Sequence, residues 1–223
     1  MRIHYSDTSY SLSPLDTTMC VLRVDMTPFR KEKDKLLVSQ LDALKSSGHP
    51  SNTSNVKSWH TGWDSHIQHK ELTNELLFDI YTIITSEKIL YSLYDFSAAE
   101  LNDTNLLIRS SWFNIQEPGE LVAEHNHGMF SDISFCYYLN VEEYSAPIRM
   151  MSYKSMQHLG CSDKTYVPFY PKNHELFIFS SLMYHDVPPT NSKRYTFAGN
   201  ICSNVRLPIE RSFKELFGEA KVS

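Results

Sequence analysis

The chain has 223 residues, 41% of them apolar and 13% aromatic, with only seven glycines. That make-up belongs to a packed globular protein and excludes a disordered or fibrous chain. Twenty-one basic against 26 acidic side chains give a net charge of −5. No lysine/arginine run coats a phosphate backbone, so nucleic acid is excluded as a main partner.

The N-terminal segment MRIHYSDTSYSLSPLDTT (1–18) has no apolar leader-like stretch, and no run of 18 apolar residues occurs anywhere. A soluble, cytoplasmic protein without a membrane partner is expected. Cys20, Cys136, Cys161 and Cys202 are scattered with no CxxC pair and read as free, mostly buried thiols.

In chain order, TMCVLRVDM (18–26) alternates weakly and predicts a first strand. Leu36, Leu37, Leu41 and Leu44 recur at helical spacing, with Gly48 and Pro50 placed as a helix stop. The polar stretch 51–66 predicts a long loop. A second helix is expected over 70–96, apolar on most sides and hence largely buried.

After residue 104 the texture changes to short strand-like runs: 106–115, 120–126, 133–141, 146–153, 175–181, 183–187 and 195–203. Turn sequences such as EPGE, YPKNHE and PPTNSK separate them. Many short strands following helices predict a sandwich or barrel. PIERSFKELFG (208–218) predicts a closing helix stopped by Gly218. The expected organisation is one domain, 1–223, with a helical part (1–104), a β core (105–207) and a C-terminal helix (208–223).

Within AEHNHGMFSDISFCYYLN (123–140), His125 and His127 stand one residue apart at the head of a predicted strand. Alternation puts two such imidazoles on one face, where they can chelate a divalent first-row metal. A third ligand must come from elsewhere, and His185, in FIFSSLMYHDVPP near the end of another strand, is the candidate. Arg194 follows nine residues later. An HxH pair alone is a common surface feature; the distant histidine and the arginine are what raise it above that.

These residues carry a resemblance. Trp112 and Asn114, Gly119, His125 and His127, then Tyr137, Tyr138 and Leu139, then Phe179, Ser181, Leu182, His185, Val187 and Pro189, and finally Arg194, follow one another in a pattern that resembles the Fe(II)/2-oxoglutarate-dependent oxygenases. Within that superfamily the chain is most similar to the small prolyl-hydroxylase-like oxygenases of bacteria and phages, over about residues 105–203. The resemblance implies an α+β, mainly β fold: a double-stranded β-helix, a jelly-roll or cupin-like barrel, with supporting N-terminal helices. It implies Fe(II) and 2-oxoglutarate as cofactors, with ascorbate as a reductant. His125 and His185 would be metal ligands, and Arg194 would pair with the distal carboxylate of the oxoacid.

The pattern departs from that superfamily at one position. Its usual facial triad is two histidines and one carboxylate, and His127 stands where the carboxylate belongs. Three readings remain open: His127 is itself a ligand, Asp132 supplies a carboxylate after a turn through Gly128, or the position is filled by water or substrate.

Other residues carry weaker assignments. Tyr138 and Asn114 are candidates for holding the oxoacid, each with a structural role as the alternative. Arg149 is a candidate contact for an acidic substrate, or a surface strand arginine. Trp63, in SWHTGWDSHIQH (58–69), lies either on an ordinary surface loop or on a substrate lid.

The expected function is hydroxylation of an unactivated C–H of an amino acid or of a peptide or protein residue, with 2-oxoglutarate converted to succinate and CO2 and O2 as co-substrate. Two rivals stand beside it: a three-histidine, cupin-type metal dioxygenase that needs no oxoacid, and a non-catalytic module that keeps the barrel alone.

Overall fold

Local sequence explains the first long element. Helix α1 (Thr27–Ser46) begins with Pro28 in its first turn, where a missing N–H costs nothing, and Asp25 accepts a hydrogen bond from the Thr27 N–H at 2.9 Å. It ends at Ser46 with Ser47 as its cap, and Gly48 follows with a φ of +82°, open to glycine and strained for other residues. A short helix, α2 (Ser65–Gln68), leads into α3 (Lys70–Ile84). In α3 Thr73, Leu76, Leu77, Ile80, Ile83 and Ile84 are buried at three- and four-residue spacing, so one face meets the core.

The computed structural model describes residues 5–6, 21–48, 56–85, 106–128, 131–151, 166–203 and 211–212. Thirteen strands accompany the helices: β1 (Tyr5–Ser6), β2 (Val21–Asp25), β3 (Val56–Lys57), β4 (Trp59–His60), β5 (Leu106–Gln116), β6 (Leu121–His125), β7 (Ile133–Val141), β8 (Ile148–Met151), β9 (Tyr166–Phe169), β10 (Glu175–Ser180), β11 (His185–Val187), β12 (Arg194–Ser203) and β13 (Arg211–Ser212). All pair antiparallel in two sheets. The major sheet runs β1-β2-β10-β7-β12-β5-β13, with β4 also on β5; the minor sheet runs β3-β6-β11-β8-β9.

The long strands have two apolar faces with different partners. One face of the major sheet, including Phe113, Tyr137, Leu176 and Phe197, packs with Leu41 of α1 and Leu76, Leu77 and Ile80 of α3. The other, including Tyr138, Phe177 and Phe179, packs with Ile148, Met150, Phe169 and Val187 of the minor sheet. The order is thus helices, major sheet, minor sheet. At Gly199 of β12 a side chain has no room: an added Cβ would lie 2.5 Å from Phe135 and 2.8 Å from the Ser110 carbonyl.

The expected barrel is corrected by this topology. The fold is a mixed α+β arrangement of three helices and two antiparallel sheets among the described residues, and the sheets do not close into a barrel. Closure needs a hydrogen-bonded ladder around the whole ring. Among the described residues no strand pairing joins an edge of one sheet to an edge of the other, and β1 and β13, at the ends of the major sheet, are two residues each. The layers are held by side-chain packing instead.

Most predicted strands stand within a residue or two of their expected places. The helix expected over 70–96 ends at Ile84 in the described part, and residues 86–105 lie outside it. Of the expected C-terminal helix, Arg211 and Ser212 instead pair with β5 as a strand, and the rest lies outside the described residues. No described helix is long and apolar enough to cross a membrane.

Candidate metal centre

His125 is the last residue of β6, and His185 the first of β11; the two are directly opposed in the antiparallel register. Their rings are 4.3 Å apart between centroids. His127 lies beyond the end of β6, so strand alternation does not place it. Its backbone N–H donates to the Ser181 carbonyl at 2.9 Å, which turns the chain back and brings its ring within 5.1 Å of His125 and 5.2 Å of His185. One ligand atom from each histidine lies within 4.8 Å of the others, a group capable of coordinating a metal ion.

Two of the rings have their tautomer set by the backbone. His125 Nδ1 meets the Ala123 carbonyl at 2.8 Å, and His185 Nδ1 meets the Met183 carbonyl at 2.9 Å. A carbonyl only accepts, so each Nδ1 carries the proton and each Nε2 presents a lone pair. Burial holds all three rings neutral. It lowers the pKa of His125; burial and then His125 lower that of His127 to about 3; burial, then His125 and His127, take His185 well below its usual value. Neutral imidazoles ready to coordinate a divalent first-row ion are what such a metal requires.

No carboxylate joins this group among the described residues. Asp132 is tied into the sheet, its N–H donating to Ile201 and its carbonyl accepting from Ser181. Asp186, beside His185, accepts from Arg149 through both carboxylate oxygens, one at 2.8 Å. Of the three open readings for position 127, the arrangement favours the one in which its imidazole stands in the ligand group. The same finding corrects the expected oxoacid-coupled hydroxylase, because the two-histidine, one-carboxylate triad of that chemistry is not formed.

The histidines open into a cavity of ≈370 Å³ between the sheets. Arg194, 3% exposed, lies in its wall, with Nε donating to Gln116 at 2.5 Å and Nη1 to the Ala146 carbonyl at 3.0 Å. Asn114 donates to Thr196 at 3.3 Å, while its side-chain oxygen is buried without a hydrogen-bond partner. The Tyr138 hydroxyl is likewise buried without one, with the Cys136 thiol and Arg194 as its polar neighbours. Burial pushes the Cys136 thiol up to about 11, so it stays protonated. Buried polar atoms left unpaired on a cavity wall are places where a ligand can bond.

Arg149 does not line this cavity. Its guanidinium is paired with Asp186 and stacks 5.1 Å from the Tyr166 ring. Trp63 does line it, 37% exposed and edge-on to Trp112 at 4.6 Å. The stretch around Trp63 is not an ordinary surface loop: Trp59, His60, Thr61, Ser65 and His66 are buried. The reason is that β4 pairs with β5, Phe113 N–H donates to Thr61 at 2.9 Å, and the His66 N–H donates to Ser111 at 3.0 Å.

Sequence reasoning overlooked Asn200. It stands on β12 with Arg194, Thr196 and Ala198, all facing the cavity, while Tyr195, Phe197 and Ile201 face the helices. A polar or small residue at every second place of an otherwise apolar strand was the available signal.

Residues 110–200 match the family model "Putative 2OG-Fe(II) oxygenase". No curated protein matches the chain in sequence. Among solved structures, a Pseudomonas putida prolyl-4-hydroxylase is 13% identical with a TM-score of 0.57, covering 82% of this chain and 92% of its own. A Trichoplax adhaerens prolyl hydroxylase, bound to a hypoxia-inducible-factor degradation-domain peptide, is 13% identical at TM-score 0.60, covering 82% and 83%. The non-heme alpha-ketoglutarate-dependent epimerase SnoN of nogalamycin biosynthesis is 10% identical at TM-score 0.57, covering 82% and 77%. Hydroxylases and an epimerase on one fold show that the fold alone does not choose the reaction.

Proposed function

Starting from the 2OG-Fe(II) oxygenase and prolyl-hydroxylase-like superfamily, to which the family match and the structural neighbours both point, we propose that this chain is a three-histidine metal dioxygenase that does not use 2-oxoglutarate. The observation that carries the reading is the ligand group itself: His125, His127 and His185 converge, and no described carboxylate joins them.

In this reading Nε2 of His125 and of His185 would hold one iron(II), with His127 as third ligand. When bound, the metal would supply the activation of O2 that the side chains cannot. The remaining work falls to the cavity. Arg194, Tyr138 and Asn114 bind and orient a polar or anionic group of the substrate through donors and acceptors that the fold leaves in the wall. Val122, Ile148, Phe179 and Val187 form an apolar lining that excludes water. A cavity of ≈370 Å³ suits a small molecule or one residue of a peptide rather than a bulky group.

The test is an anaerobic titration of metal-free protein with Fe(II), followed by 2-oxoglutarate. Iron binds in the wild type and in Asp132→Ala, and binding is lost in His127→Ala. Adding the oxoacid produces no visible charge-transfer band, and admission of O2 yields no succinate. A charge-transfer band, or succinate formed in step with O2 uptake, would overturn the reading.

A further inference from the structure

The three histidines are not held alike. His125 and His185 give their Nδ1 protons to backbone carbonyls, which have no alternative role. His127 Nδ1 instead faces the side-chain amide of Asn200, with Nδ2 of the asparagine at 3.2 Å. With the amide nitrogen toward it, a neutral imidazole that accepts at Nδ1 carries its proton at Nε2, and that nitrogen then has no lone pair to offer the cluster.

Asn200 is itself built into a hydroxyl network. Its cross-strand partners in the major sheet are Ser110 on β5 and Ser134 on β7. Nδ2 donates to Ser110 Oγ at 2.9 Å, Oδ1 accepts from Ser134 Oγ at 2.7 Å, and Ser134 Oγ is 2.9 Å from Ser181 Oγ. Ser181 also holds the His127 backbone through its carbonyl. Amide oxygen and nitrogen are nearly isosteric, and hydroxyls rotate freely. A half-turn of the carboxamide therefore leaves the network satisfied. Oδ1 then accepts from His127 Nδ1–H and Ser110, Nδ2 donates to Ser134, and Ser134 donates to Ser181.

We propose that Asn200 is a positioning residue for the metal centre: the orientation of its carboxamide, buffered by Ser110, Ser134 and Ser181, selects the His127 tautomer and so decides whether the third imidazole can ligate. Metal binding draws the amide into the oxygen-inward orientation. The inference rests on the three-histidine reading, and it accounts for how a residue outside any strand becomes a ligand without a fixed carbonyl behind it.

Co(II) alone is the probe. Each histidine bound through Nε2 contributes one solvent-exchangeable, hyperfine-shifted Nδ1–H signal in the NMR spectrum of the cobalt protein, and affinity is read by titration. Wild type shows three such signals. Asn200→Leu, close in volume but unable to accept, shows two, with affinity lower by about 10–100-fold, the usual effect of losing an outer hydrogen-bond partner of a ligand. Asn200→Asp, whose oxygens only accept, restores the third signal and at least wild-type affinity. Thermal melts of the metal-free variants establish folding. Should Asn200→Leu fail to fold, Asn200→Asp decides alone, since loss of its third signal contradicts the proposal. Three signals and unchanged affinity in Asn200→Leu overturn the role of Asn200 while leaving the three-histidine centre intact. Two signals, or no cobalt bound, in wild type overturn the three-histidine reading itself.

Discussion

Tyr137 and Tyr138 are adjacent on β7, fully buried, and face opposite sides of the major sheet. The Tyr137 hydroxyl donates to Asp34 of α1, which also accepts from Arg30 at 3.0 Å and pairs with His174 at 2.7 Å. Arg30 and Asp34 are 2% and 1% exposed, and Arg30 reaches Asp79 at 3.0 Å. On that side the polar groups find protein partners. On the other, the Tyr138 hydroxyl and the Asn114 carbonyl are buried with none, on the wall of the cavity that the histidines enter. Two neighbouring residues of one type thus mark the difference between a network that holds the fold and a surface left for a ligand.

Breaking the satisfied side has the largest effect. Asp34→Ala leaves a buried guanidinium short of a partner and is expected to cost about 3–5 kcal/mol in urea unfolding, with the metal affinity of the remaining folded protein unchanged. A folded-state loss under about 1 kcal/mol would show the network to be incidental.

Acid acts next, through buried histidines, three of them on the cavity wall. Burial depresses the pKa values of His60, His66, His125, His127 and His185 below their usual range. The unfolded chain therefore binds protons first as pH falls, and the folded state does not follow. Stability of the metal-free protein is full above about pH 6.5, the unfolded histidine value, and declines below it, the His127 share continuing toward about pH 3. His127→Ala should flatten the decline measured by thermal melts across that window; an unchanged slope would place the coupling elsewhere.

The two tyrosines give the direct comparison. Tyr137→Phe removes one of the donors to the buried Asp34 carboxylate, which keeps Arg30 and His174, and should destabilise by about 1.5–3 kcal/mol, whereas Tyr138→Phe removes a hydroxyl with no hydrogen-bond partner and should be neutral within about 0.5 kcal/mol. Equal losses in parallel urea melts would remove the distinction between the two faces. Arg149→Ala is also expected to have a small effect. Its pairing with Asp186 is partly exposed, so about 1 kcal/mol or less is lost and cobalt affinity stays as in wild type.

Much of this was legible in the chain. Apolar spacing placed α1 and α3, short strand-like runs between turn sequences placed β5, β7, β10 and β12, and the order of His125, His185 and Arg194 brought the superfamily into view. The buried stretch from Trp59 to His66 read as a loop because its order comes from pairing with β5, not from its own periodicity. The number and spacing of strands left sandwich or barrel open, and only the family resemblance implied a closed barrel; closure depends on which edges meet.

The sequence by itself determined the periodic elements and the residue types on offer, because helical and strand periods act over a few neighbouring residues. Tertiary structure decided which of those residues meet. It brought His127 to the metal group through a bond to Ser181 rather than through strand alternation, kept Asp132 and Asp186 out of it, and set Asn200 behind the third imidazole. These are contacts between residues 37 to 73 positions apart, set by loop paths and by the packing of two sheets, for which no local pattern in the chain exists.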